Sequence, residues 1–128
     1  MVGVWEGRVR TVSSGAIILG AFGAHALKTK LPLELMSAYE TAVQYQLWHS
    51  LAILVLCGFL TISANAKLLQ SSGYLFSIGI VLFSGSLYII ATTSLRYIGP
   101  LPIGVLTPIG GLCFIAAWML MAVHFFKQ

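Results

Sequence analysis

Residues 73–95 read GYLFSIGIVLFSGSLYIIATTSL, a run of 23 residues without a charge. At about 1.5 Å of rise per residue, a helix of some 20 apolar residues crosses a hydrocarbon core about 30 Å thick, so this run is long enough to span a bilayer. Working outward, three further stretches of the same kind lie at 11–27, 42–64 and 104–126. Apolar types make up 59% of the 128 residues and charged types only 8%, whereas a soluble domain carries about a quarter charged residues. The fold class that follows is all-α, an integral membrane four-helix up-and-down bundle in a single domain over 1–128, with an amphipathic, interfacial start to the second helix at 33–41.

The run at 11–27 has the look of a signal-peptide apolar region behind Arg8 and Arg10. It ends, however, in His25 and Lys28 and is followed by further spans, so it reads as a retained first span. The net charge of +4 comes from cations scattered over several membrane boundaries. They form no continuous basic stripe, which excludes nucleic acid as the partner and leaves membrane lipids, with other membrane subunits or a second copy as further partners. Arg8, Arg10, Lys67 and Lys127 fall on one side and Lys28, Lys30 and Arg96 on the other, so the positive-inside rule places both termini on the cytoplasmic or matrix side by one charge. Cys57 and Cys113 sit inside spans without CxxC spacing and read as small packed hydrophobes.

Several local signals mark helix ends and faces. Ala16, Gly20 and Ala24 recur every four residues, with Gly23 beside them, a small-residue stripe that lets a second helix approach closely. Gly110, Cys113 and Ala117 give the fourth span a second such face, and Gly111, Ser84 and Gly85 are further helix-packing candidates. Pro32 ahead of Glu34 suits a helix start with proline at the first position, and Ser37-x-x-Glu40 has capping-box form one turn later, so the second helix either runs unbroken from 33 to 63 or breaks near 37. Residues 61–72, with Asn65, Lys67 and Gln70, are the most polar connector, and 96–103, with Gly99, Pro100 and Pro102 among apolar residues, is an interfacial one. Thr107-Pro108 predicts the fourth start, threonine capping from outside the helix. Ser77, Ser84 and Tyr88 share one face of the third helix.

Four blocks stand out when the polar and glycine positions are taken together: GAFGAHAL at 20–27, YETAVQYQLWHSLA at 39–52, LFSGSLY at 82–88 and TPIGG at 107–111. In that order and spacing the chain resembles the YgdD-like family of small four-span membrane proteins (domain of unknown function 423), to which a eukaryotic relative, transmembrane protein 256, is also related. The resemblance implies a four-span fold in a bacterial or mitochondrial inner membrane, and brings no reaction, substrate, cofactor or catalytic residue with it. Staphylococcal members are associated with membrane stability, which implies a supporting role, and a larger respiratory assembly would be a natural host.

An ionisable or polar group within a span is a candidate functional group by default. Here His25, Glu40, Gln44, Tyr45 and His49 qualify, and they suggest a polar pocket near one membrane surface, with His25 meeting a face of the second helix. Glu40 and His49 are nine residues apart and at about 100° per residue point to opposite sides of an unbroken helix, Glu40 with Gln44 and His49 with Tyr45. Such a pocket suits a head group, a quinone ring or a proton in transit. The same residues equally suit a hydrogen-bond network that docks helices, and this is the preferred reading. No HExxH, GxSxG or Walker segment occurs and the chain has three acids in all, so the expectation is a non-enzymatic structural or accessory membrane component without a cofactor.

Overall fold

The structure is a computed structural model that describes residues 2–63 and 66–127, without the side chains of Val2, Arg8 and Val9; Asn65 of the predicted connector lies outside the described residues. Among them the chain forms four long helices: α1 (Val2–Phe22), continued by a π-helical stretch Gly23–Leu27, then α2 (Leu33–Leu60), α3 (Lys67–Thr92) and α4 (Leu106–Phe126). α2, α3 and the segment Ile103–Phe126 are each long and apolar enough to cross a membrane. Large apolar side chains such as Ile18, Val81, Leu112 and Met119 are exposed, while Gln46, His49, Ser72 and Ser84 are buried. Apolar outside and polar inside is the arrangement expected of an all-α bundle whose solvent is lipid.

Helix ends depart from the sequence expectation for physical reasons. α1 begins at Val2 rather than Thr11, because Glu6 and Arg10 oppose lipid burial but not helix formation, and the buried Trp5 anchors this first turn. α2 is unbroken; its 28 residues give about 42 Å of helix at about 1.5 Å per residue, so one end stands clear of the hydrocarbon. Pro32 precedes the helix in an extended conformation (ψ 151°) instead of occupying its first position, and makes no side-chain cap. Ser37 lies inside the helix and accepts from the Thr41 hydroxyl through its carbonyl, at 2.9 Å. Thr107 likewise caps nothing. A 3₁₀ turn, Ile103–Val105, leads into α4 with helical backbone already in place at Val105, and the Thr107 Oγ1 lies 2.6 Å from the Ser86 Oγ.

Short connections make chain neighbours antiparallel. Leu19 faces Tyr39 and Val12 faces Gln46 between α1 and α2; Ser84 meets Ala42 between α3 and α2; Ser72 meets Ala117 and Ser86 meets Thr107 between α3 and α4. The main core gathers Ile53, Leu56, Leu69, Phe76, Phe114 and Ala117, with Trp5 reaching in from α1. The α3–α4 contact is close: a Cβ on Gly110 would lie 2.5 Å from the Phe83 amide nitrogen, and one on Gly79 2.6 Å from the Phe114 ring.

The connector after α3 is a small hairpin, Tyr97–Ile98 pairing with Leu101–Pro102. Gly99 has φ 59°, and with proline next this is the positive-then-negative φ order of a type II′ hairpin turn. Arg96 folds back so that its Nη1 donates to the carbonyls of Thr93 and Leu95, at 2.8 and 3.1 Å, a cation beside the C-terminal end of α3 and the connector that follows.

Candidate functional site

The inward face of α2 is set by a seven-residue recurrence. Tyr39, Ala42, Gln46, His49, Ile53 and Leu56 are all buried, and steps of three and four keep them on one stripe of the helix. The upper part of this stripe is polar. The Gln46 side chain donates from Nε2 to the Val12 carbonyl of α1 at 2.9 Å and accepts at Oε1 from the Tyr88 hydroxyl of α3 at 2.8 Å. One amide thus joins three helices. Tyr39 donates to the Leu19 carbonyl at 2.6 Å and packs edge-on against Tyr88, ring centroids 5.1 Å apart. Ser84 adds a bond to the Ala42 carbonyl at 2.8 Å. Gly15 and Gly23 make room, since a Cβ on Gly15 would meet the Gln46 amide at 3.2 Å and one on Gly23 would enter the Tyr39 ring.

One turn further along, His49 belongs to an aromatic cluster. Its ring lies flat on Phe114, centroids 3.5 Å apart and planes within 6°, with Tyr45, Phe76 and Trp118 around it. Nδ1 is 2.8 Å from the Tyr45 carbonyl oxygen; a carbonyl only accepts, so Nδ1 carries the proton. Tyr45 itself stacks on Phe83 at 4.4 Å. His49→Phe keeps the stack and gives up one hydrogen bond, so its unfolding free energy in detergent is expected within about 1.5 kcal/mol of the parent. A chemical denaturation curve measures this, and a collapse of the fold would contradict the packing role.

The outward side of α2 carries the other sequence candidates. Glu40 and Gln44 are exposed and line a groove of about 190 Å³ against Gly20 and Ala24 of the first helix. It adjoins a hollow of about 570 Å³ walled by Lys28, Leu31, Leu33, Met36, Ser37 and Glu40. The structure therefore brings Glu40 and Gln44 together and puts Tyr45 and His49 on the opposite side of α2. His25 is exposed and makes no side-chain hydrogen bond or ring contact among the described residues; two residues beyond Gly23, which meets Tyr39, it falls on the far side of the first helix at about 100° per residue, in a π-helical stretch closed by the Lys28 amide on the Gly23 carbonyl at 3.0 Å. Of the helix-packing candidates, Ala16, Gly23, Ser84 and Gly110 are buried and Gly20 abuts Val43. Ala24 faces the groove, a Cβ on Gly111 would only touch the Phe83 ring at 3.9 Å, and Gly85 has open space beside it, since its neighbours Ser84 and Ser86 take the directions toward α2 and α4. Of the residues that carry the inter-helix bonds, Tyr88 shares its predicted face with Ser84, whereas Tyr39 and Gln46 were legible only as a spacing: seven residues separate them, which puts them on one face.

The sequence model of a family described as protein of unknown function (DUF423) matches residues 19–111. The chain belongs to this family. The matched segment runs from the Leu19 carbonyl that receives Tyr39 to Gly110 and Gly111 at the start of α4. Among DUF423-like relatives, the UPF0382 membrane protein SH2409 of Staphylococcus haemolyticus is 44% identical over 111 residues, covering 84% of this chain and 83% of the relative. The UPF0382 membrane protein YwdK of Bacillus subtilis is 38% identical over 108 residues, with 84% of each chain covered. The UPF0382 inner membrane protein YgdD of Escherichia coli is 40% identical over 107 residues, covering 84% of this chain and 77% of the relative. No solved structure matches.

Proposed function

We propose that this chain is a structural, accessory component of a bacterial inner membrane, a pre-assembled helical unit on which other membrane components rest. The observation that carries this reading is the Gln46 amide bound at once to α1 and α3. In lipid, where apolar contact alone gives helices little reason to associate, such bonds and close small-residue packing fix the arrangement. Of the polar candidates inside the spans, Tyr45 and His49 are packed against rings of α3 and α4, and Tyr39, Gln46 and Tyr88 join the helices by hydrogen bonds. The bacterial relatives named as membrane or inner membrane proteins support the location.

In this reading residues 11–27 are the fourth span. They carry no Asp, Glu, Lys or Arg, Ile17, Ile18 and Phe22 are exposed, and the stretch is tied to α2 at Val12 and Leu19. With four spans the termini share one side, and the excess of cations there favours the cytoplasm. The test is extraction in mild detergent followed by native mass spectrometry of the intact particle. The expected result is a defined assembly with a second copy or another membrane subunit; a chain that runs alone at every detergent concentration would overturn the accessory role.

A further inference from the structure

The groove on the outer side of α2 touches the inter-helix network only through Tyr39, and with the hollow beside it holds two unlike charges. Glu40 lies seven residues into α2 from Leu33, about 10 Å along the axis at about 1.5 Å per residue, on the part of the helix that stands toward the Lys28, Lys30 and Arg96 end of the bundle. It lines both hollows, and Lys28 lines the larger one with it. Among the described residues neither side chain makes an ion pair or a hydrogen bond. The remaining wall is apolar (Leu31, Leu33, Met36) apart from the Ser37 hydroxyl. The larger hollow, at about 570 Å³, falls in the roughly 300–1,000 Å³ range of small-molecule sites.

We propose that this groove binds the head group of phosphatidylethanolamine, the Glu40 carboxylate taking its primary ammonium and Lys28 its phosphate. A carboxylate accepts hydrogen bonds only, and a primary ammonium supplies three donors, whereas a trimethylammonium supplies none. A phosphate beside a lysine forms the complementary charge-assisted contact. Both charges must be met at once, which a lipid with only a phosphate cannot do. From Glu40 the groove runs between Val43 of α2 and Ala24 and Gly20 of the first helix, the direction an acyl chain takes into the bilayer. This site goes beyond the framework role and needs no partner subunit.

The experiment is native mass spectrometry of the full chain in mild detergent, titrated separately with dioleoyl phosphatidylethanolamine, phosphatidylcholine and phosphatidylglycerol. The expected result is preferential retention of phosphatidylethanolamine, weakened about tenfold or more by Glu40→Gln, the scale of one charge-assisted hydrogen bond. Lys28→Gln is expected to weaken it as well, and Glu34→Gln, an exposed acid of the same helix outside the groove, to leave it unchanged. Because Glu40 and Lys28 are exposed, both variants are expected to unfold at the parental temperature. Equal retention of the three lipids, or a phosphatidylethanolamine preference that survives Glu40→Gln, would overturn the proposal, and either outcome leaves the assembly test of the framework role untouched.

Discussion

Gly110→Ala is expected to cost about 1–3 kcal/mol of unfolding free energy in detergent, the usual penalty of forcing volume into a packed contact. The added methyl would sit 2.5 Å from the Phe83 amide nitrogen and 2.9 Å from its Cα. Those are backbone atoms of α3, so no rotamer change relieves them, and α4 must move away from the face it shares with Ser72, Ser86 and Gly79. In an open part of a helix the same substitution has the opposite sign, because alanine is the better helix former by about 0.8–1.0 kcal/mol. Gly85 provides that case, with nothing within 4 Å of a Cβ, and Gly85→Ala is expected to be neutral or stabilising. Parallel thermal or denaturant curves for the two variants test the claim; equal effects would mean that α3 and α4 do not meet at Gly110.

The second large effect is expected at Gln46. Gln46→Leu removes the link to α1 and leaves the Tyr88 hydroxyl buried without its acceptor, at an expected cost of about 1–3 kcal/mol. Tyr88→Phe removes the donor and leaves Gln46 Oε1 unmatched. If the two groups act as one bond, the double variant loses less than the sum of the single losses, with a coupling of about 0.5 kcal/mol or more, as directly bonded residues give. Additive losses would show that the 2.8 Å contact contributes nothing specific. Inter-helix bonds in lipid average about 0.6 kcal/mol because the separated helices find other partners, so the cycle, rather than either single loss, isolates the bond.

Much of the site was half legible. The residues YETAVQYQLWHSLA were visibly too polar for a simple span, and the opposition of Glu40 and His49 followed from 100° per residue alone. What the sequence could not assign was which side of that helix faces its neighbours. Glu40 and His49 are both plausible interior groups by type; packing sends His49 onto Phe114 and leaves Glu40 on the outer groove. Gln46 drew less notice than Gln44 because an uncharged amide gives no signal of burial until the seven-residue spacing from Tyr39 is followed through Ala42. His25 was expected to meet the second helix, but it stands two residues from Gly23, which meets Tyr39, and about 200° at about 100° per residue puts it on the other side of the first helix.

The all-α membrane fold was determined by the sequence itself: long uncharged runs leave a chain no way to satisfy its backbone in lipid except as helices, and short polar connectors make the helices alternate in direction. Helix ends were less secure, because glutamate, arginine and lysine extend a helix as readily as leucine does, so α1 and α3 reach beyond the apolar runs that announced them. The inter-helix bonds and the separation of His49 from the Glu40 groove were decided only by the tertiary structure. Each depends on the rotation of a helix about its axis, and a helix apolar on nearly every side carries little record of that rotation until small residues such as Gly79 and Gly110 let a particular pair of faces close.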